Sequence, residues 1–370
     1  MAKTKVVVVI NGFLVGGAER LSADILSRID RSRFDVSLVT LFQFNDRPTM
    51  YHLLPSEVAV HKLNFGGFAD VASWIQLARV LRQERPAVVL SNLFFSNTVV
   101  RALGCCLGYR SIAVEHNTYT NRTRMQLLCD RLLAHVSAHI VAVSPVVKEF
   151  TAKREGISLD KFVVIPNGID VEAIARRAAE ADIAGVRAEL GLSAGAQLVV
   201  SVGRMAPQKN FGLLIEAFAE FSKSHPAYHL AILGDGGLMG EMKERVARLG
   251  LGDVVHLLGN RKDVVPYLAA AQFFVSASSI EGLSIAQLEA LACGLPLLAT
   301  HTASSEALVK PGVNGQFIQE ASVQAVCDGL AYMIGQDMAS MRLAAQETAR
   351  VHDIRTVVSR YEALIEEVAR

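Results

Sequence analysis

Apolar residues fall into short β-rich runs separated by stretches in which apolar positions recur every three or four residues. In the first half the runs are 5–10, 35–42, 57–63, 87–91, 111–115, 138–143 and 161–165, and helical stretches lie at 17–30, 71–84, 96–107, 121–135 and 145–154. Runs without polar alternation suit strands covered on both faces, and the β-α rhythm implies a parallel sheet between helices. Pro166-Asn167-Gly168 interrupts the pattern as a turn does. A charged, alanine-rich helical stretch over 171–190 follows. A second series then begins, with strands at 197–202, 228–233, 254–258, 272–276 and 295–299 and a helix at 211–223. Residues 354–370 are helical and come after the second sheet is complete.

The chain therefore reads as α/β, with two Rossmann-like doubly wound domains. The first is 1–168 and the second 169–353, with a C-terminal helix at 354–370. A length of 370 residues with 51% hydrophobic content supports two sizeable cores. With 20% charged residues and a net charge of +1, neither disorder nor nucleic-acid binding is indicated. The charge is uneven: residues 1–166 hold 20 Lys/Arg against 13 Asp/Glu, and the remainder 17 against 23. A basic front half suits an anionic or membrane-bound partner. Five cysteines without a CxxC pair, mostly in apolar surroundings, read as buried thiols in a reducing compartment. The start resembles a signal peptide, but its apolar run Val6 to Ile10 is shorter than the ~7–15 residues of a signal core. No run reaches the ~18 apolar residues of a membrane-spanning helix, so membrane contact is expected to be peripheral.

Two such domains imply a cleft, and ligands of open α/β sheets bind beyond the carboxyl ends of strands. The candidate chemistry falls there. Gly203 ends strand 197–202, and Arg204 and Lys209 follow on a short loop before a helix. Two cations at a strand end suit a diphosphate, Arg gripping two oxygens and Lys acting as a point charge. A solvated basic turn would read the same way in isolation. Lys209 precedes Asn210, so this is not a Walker A loop. After strand 272–276 come Glu281-Gly282-Leu283-Ser284 and, further along the helix, Glu289 among Leu288, Ala290, Leu291 and Ala292. The amides from Gly282 to Ser284 form a helix N-terminus that favours a phosphate, and a carboxylate in apolar company needs a partner such as a pair of hydroxyls. A capping loop with an exposed helix glutamate is the plainer alternative. Gly16-Gly17 follow the first strand and allow close approach of a ligand, without the GxGxxG spacing of dinucleotide sites. His116 ends strand 111–115, in position to touch a substrate or to serve structure alone. No DxD, HExxH or Cys/His cluster occurs, so no metal and no cofactor are expected.

These pieces together resemble the retaining glycosyltransferases of family 4, with the GT-B fold. The resemblance rests on Gly16-Gly17-Ala18-Glu19-Arg20, Glu115-His116-Asn117, Val143-Ser144-Pro145, Pro166 to Asp170, Gly203-Arg204 with Lys209, Gly234-Asp235-Gly236, and Glu281 with Glu289 followed by Ala292 to Pro296. It implies that Arg204 and Lys209 hold the donor diphosphate, Glu289 the ribose and Glu281 the sugar beside Gly282, Leu283 and Ser284. It further implies that His116 hydrogen-bonds the sugar near the reacting centre. Gly16-Gly17 would lie by the phosphates or acceptor, Asn260 to Val265, with Asp263 and Val264, would contact the base, and the last helix would cross back to the first domain. The implied reaction is metal-independent transfer of a UDP-hexose or UDP-N-acetylhexosamine sugar to a lipid-linked or surface glycan at the cytoplasmic membrane face. Leu93-Phe94-Phe95 and Arg122, Arg124 and Arg131 are candidates for the surface that meets it. A GDP-mannose-type donor, an epimerase or a non-catalytic nucleotide-sugar binder on the same fold remain alternatives.

Overall fold

The computed structural model describes residues 3–44 and 47–370, so Met1-Ala2 of the signal-like start lie outside it. Packing divides the chain into two compact units, Met1–Gly168 with Ile354–Arg370, and Ile169–Asp353.

In the first unit the strands are β1 (Thr4–Ile10), β2 (Phe34–Thr40), β3 (Ala59–Lys62), β4 (Val88–Asn92), β5 (Arg110–Glu115), β6 (Ser137–Ala142) and β7 (Phe162–Val164). They form one parallel sheet in the order β3-β2-β1-β4-β5-β6-β7. The valines of β1 are buried, and the sheet is covered on both faces. One face packs Val6, Val8, Ile10 and Leu90 against helix Gly17–Arg28 and the C-terminal helix Ile354–Ala369. The other packs Val7, Val9 and Val89 against helices Val71–Glu84 and Phe94–Leu107. The C-terminal helix is held at its polar margin too: Glu362 accepts from the Asp30 amide at 2.7 Å and pairs with Arg33 at 3.3 Å.

The second unit contains β8 (Gln197–Val202), β9 (Tyr228–Leu233), β10 (Val255–Gly259), β11 (Phe273–Ser276), β12 (Leu297–Thr300) and β13 (Gly315–Ile318), a parallel sheet in the order β10-β9-β8-β11-β12-β13. Strand β13 is absent from the sequence reading. It is a four-residue segment flanked by turns, and its pairing with β12, Leu297 to Gly315 through Thr300 to Ile318, creates it. The helical stretch 171–190 is two helices, Val171–Ala179 and Ile183–Glu189. Asp182 separates them, its side chain accepting from the Gly185 amide, because a short acidic side chain caps a helix better than it continues one. The expectation of buried thiols fails for Cys105 and Cys106, which are exposed on a helix end, whereas Cys293 is buried. Among the described residues, no helix is long and apolar enough to cross a membrane.

Candidate functional site

In the second unit the carboxyl ends of β8 and β9 are joined by close backbone contact. The Gly203 amide donates to the Leu233 carbonyl, and Met205 donates to the Asp235 carbonyl at 3.0 Å. A Cβ on Gly234, whose φ is +130°, would come within 1.9 Å of the Gly203 oxygen, so only glycine allows these loops to meet. Gly203 is constrained differently: its missing side chain leaves room for the stem of Lys209, whose Cε would stand 2.9 Å from a Cβ there. The Lys209 side chain is thereby laid against the end of β8, while Arg204 is exposed.

Lys209 forms an ion pair with Glu281, and their side chains are only 16% and 13% exposed. The Ser278 hydroxyl donates to the same Glu281 oxygen at 3.1 Å and receives from Ser276 at 3.1 Å. Ser304 anchors the loop from behind: its amide donates to the Glu281 carbonyl at 3.1 Å, and its hydroxyl donates to Gln287 at 2.6 Å. That hydroxyl also accepts from the Ser284 amide at 2.9 Å. The Ser284 amide is therefore matched inside the protein. Ser278 and Ser304 carry no motif a sequence could reveal, since their roles arise only when β11 and helix Ala303–Leu308 meet the Glu281 loop.

A second charged group lies in the same unit. Asp263 pairs with Arg177, and its carboxylate also accepts from the Val265 amide at 2.9 Å. Burial opposes its ionised form, but the Arg177 and Val265 hydrogen bonds prevail and hold its pKa below the usual value. The hydrogen bond that Arg177 donates to Asp263 outweighs burial in raising the Arg177 pKa, and the charge of Glu289 adds to it. Glu289 is half-buried, Asn260 is exposed, and Val264 starts helix Val265–Ala270. Nothing in the sequence marks Arg177, which sits in an alanine-rich helix like any solvated arginine.

In the first unit, His116 follows β5 and its Nε2 lies 2.8 Å from Asn92 Oδ1 at the end of β4. Burial alone lowers its pKa to about 4. Gly16 and Gly17 open helix Gly17–Arg28 after β1, Gly16 being the extended cap residue and Gly17 exposed. Arg122 is not on the surface. It is buried, with Glu115 at 2.8 Å, Asp130 at 2.9 Å and Glu155 as its partners, while Arg101 reaches Asp130 at 2.5 Å. Its guanidinium also lies over the rings of Tyr119 and Phe94, 5.0 and 5.3 Å from their centroids. Phe95 stacks on Phe68 at 4.2 Å and meets Phe42 and Phe65, so it belongs to an aromatic cluster. Arg124 and Arg131 remain exposed. Among the described residues, no group of three or more His, Cys, Asp or Glu could hold a metal ion.

Two family models cover most of the chain: Glycosyltransferase Family 4 over residues 15–173 and Glycosyl transferases group 1 over residues 182–352. The UDP-Gal:alpha-D-GlcNAc-diphosphoundecaprenol alpha-1,3-galactosyltransferase of Escherichia coli is 25% identical over 332 residues, which is 86% of this chain and 84% of that protein. A Campylobacter jejuni diphospho-undecaprenol-linked N-acetylgalactosaminyltransferase is 32% identical over 182 residues, 49% of this chain and 46% of that one. The Anabaena protein HepE, solved with UDP-glucose, superposes with a TM-score of 0.85 at 21% identity, covering 98% of this chain and 99% of its own, a likeness of fold.

Proposed function

Because this chain belongs to the family 4, group 1 glycosyltransferases with the GT-B fold, we propose that it transfers a sugar from a UDP-hexose or UDP-N-acetylhexosamine to a lipid-linked or surface-polysaccharide acceptor, with retention of anomeric configuration. The observation that carries the reading is the Lys209–Glu281 pair, fixed where the loops after β8 and β11 meet and backed by Ser278. Lys209 supplies the positive charge that a departing diphosphate requires, with exposed Arg204 as a second donor, and preorganised cations of this kind act most strongly on the charge that develops as the bond breaks. Glu281 accepts from sugar hydroxyls, Glu289 from the ribose, and Gly282 and Leu283 border the sugar. Asn260, Asp263 and Val264 line the base, and Gly16-Gly17 approach the phosphates or the acceptor.

Retention follows from attack on the face the leaving group departs from. The C1–O bond to the diphosphate breaks, the acceptor oxygen bonds to C1 on the same side, and the leaving phosphate oxygen takes the acceptor's proton. A double displacement would require a carboxylate beneath C1, and the site's carboxylates are assigned to hydroxyls instead. Like the related galactosyltransferase, whose donor is UDP-galactose, the chain is expected to prefer uridine. Calorimetric titration with UDP-, GDP- and ADP-sugars tests this: micromolar binding confined to UDP compounds is expected, and failure of all three to bind would refute the reading. Turnover unchanged in EDTA is expected of a metal-independent transfer, and strong inhibition would overturn that part.

The acceptor reading places the enzyme at the cytoplasmic membrane face. Helix Arg124–Ala134 supports this: Met125, Leu128 and Leu132 are 69%, 51% and 60% exposed, Arg124 and Arg131 accompany them, and its acidic residue, Asp130, is buried. An outward apolar stripe flanked by cations suits the interface of an anionic bilayer. Replacing Leu128 and Leu132 with glutamine should lower co-sedimentation with phosphatidylglycerol vesicles at least tenfold. Equal sedimentation of both forms would remove this helix from the role.

A further inference from the structure

Four hydroxyl side chains are buried at the carboxyl ends of β8, β11 and β12: Ser201, Ser276, Ser278 and Thr300, each 7% exposed or less. A buried hydroxyl costs free energy unless its hydrogen bonds are answered. Two of these hydroxyls hold the main chain. Ser201 Oγ donates to the Val275 carbonyl at 2.7 Å, and Thr300 Oγ1 donates to the Ser278 carbonyl at 2.5 Å. The other two form a chain between side chains. Ser276 Oγ donates to Ser278 Oγ at 3.1 Å, and Ser278 Oγ donates to Glu281 Oε1 at 3.1 Å. A hydroxyl has one proton, so that of Ser278 is committed to the carboxylate. Linked hydrogen bonds polarise one another, which strengthens the last of them.

The chain ends on one oxygen only. Lys209 and Ser278 both meet Glu281 Oε1, whereas Oε2 takes no hydrogen bond from any described residue and is not sealed in the interior. The two contacts to Oε1 differ in permanence. Under the sugar-transfer reading above, the Lys209 charge is drawn toward the departing diphosphate, and the Ser278 hydroxyl is the contact that stays. Resting on that reading, we propose that Ser278 is a positioning residue, which pins Glu281 Oε1 so that Oε2 faces the hydroxyls of the transferred sugar. Ser276 acts one step behind, by directing the Ser278 proton to the carboxylate. Ser278 is only 2% exposed and acts through Glu281. The nucleotide half of the donor is assigned to other groups, the ribose to Glu289 and the base to Asn260, Asp263 and Val264. Loss of the Ser278 hydroxyl is therefore felt by the sugar and not by the nucleotide.

Calorimetric titration of the full chain separates the two halves. The ligands are UDP and whichever of UDP-glucose, UDP-galactose and UDP-N-acetylglucosamine binds the unaltered protein most tightly. In Ser278→Ala the Kd for that UDP-sugar should rise about tenfold, as for the loss of one hydrogen bond to a charged group, while the Kd for UDP stays within about twofold. Ser276→Ala leaves the bond to Glu281 in place and removes the donor behind it, so it should show a smaller rise, again confined to the UDP-sugar. An unchanged UDP-sugar Kd in Ser278→Ala would show that Glu281 keeps its place without the hydroxyl, and equal weakening of UDP and UDP-sugar would make the serine structural alone; either overturns the proposal. If Ser278→Ala fails to fold, Ser276→Ala decides, and a UDP-sugar Kd that does not rise relative to that of UDP overturns it. Failure of the unaltered protein to bind UDP or any of the UDP-sugars is a different result, which sinks the sugar-transfer reading itself and the proposal with it.

Discussion

Replacing Lys209 with methionine is expected to lower kcat by 10²–10³-fold, the ~2.7–4 kcal/mol that a single preorganised charge stabiliser contributes to a barrier. Methionine keeps most of the stem that lies across Gly203 and removes the charge. The loss has two sources. The departing diphosphate loses its cation, and Glu281, only 13% exposed, keeps Ser278 but loses its ion-pair partner. The two sources separate in a cycle with Glu281→Gln. Groups in contact couple, so the double variant should be less impaired than the product of the single effects. Steady-state kinetics with the UDP-sugar identified by binding gives both numbers. Turnover of Lys209→Met within threefold of the unaltered enzyme would remove Lys209 from the leaving-group role.

Replacing Arg122 with methionine is expected to destabilise the first unit by about 3–5 kcal/mol, the cost of breaking a buried ion pair from one side. Glu115, Asp130 and Glu155 would be left with Arg101 as the remaining cation of the cluster, and Arg101 reaches Asp130. The protein's one tryptophan, Trp74, lies in this unit, so its fluorescence during urea denaturation follows the relevant transition. The cluster also gives stability a pH dependence. Three carboxylates face two guanidiniums, and burial together with the charge of Glu115 pushes the Glu155 pKa up to about 8 against Arg122's opposing pull. The folded state thus binds a proton that the unfolded chain releases near 4.5. This contribution is full below 4.5 and is lost as pH rises to about 8. Glu155→Gln should flatten that slope and offset part of the Arg122→Met loss at pH 8, and an unchanged slope would locate the proton elsewhere.

Much of this architecture is legible in the chain itself. Valine-rich runs such as β1 declare strands buried on both faces, and the helical spacing between them dictates parallel crossovers. The positions of Gly203, Lys209, Glu281 and His116 after strands are equally a property of the sequence, because parallel sheets put ligand chemistry at their carboxyl ends. Short-range pattern misleads where the deciding contact is distant. Strand β13 exists because β12 pairs with it. Arg122 reads as one of three surface arginines, yet three carboxylates from β5 and two helices draw it inside. The Ser284 amide is matched by Ser304, twenty residues on. Periodicity and turn chemistry act over a few residues and determined the order and kind of the elements. Which polar groups are matched within the fold, and which remain for a ligand, is decided by side chains far apart in sequence, so only the tertiary structure settled it.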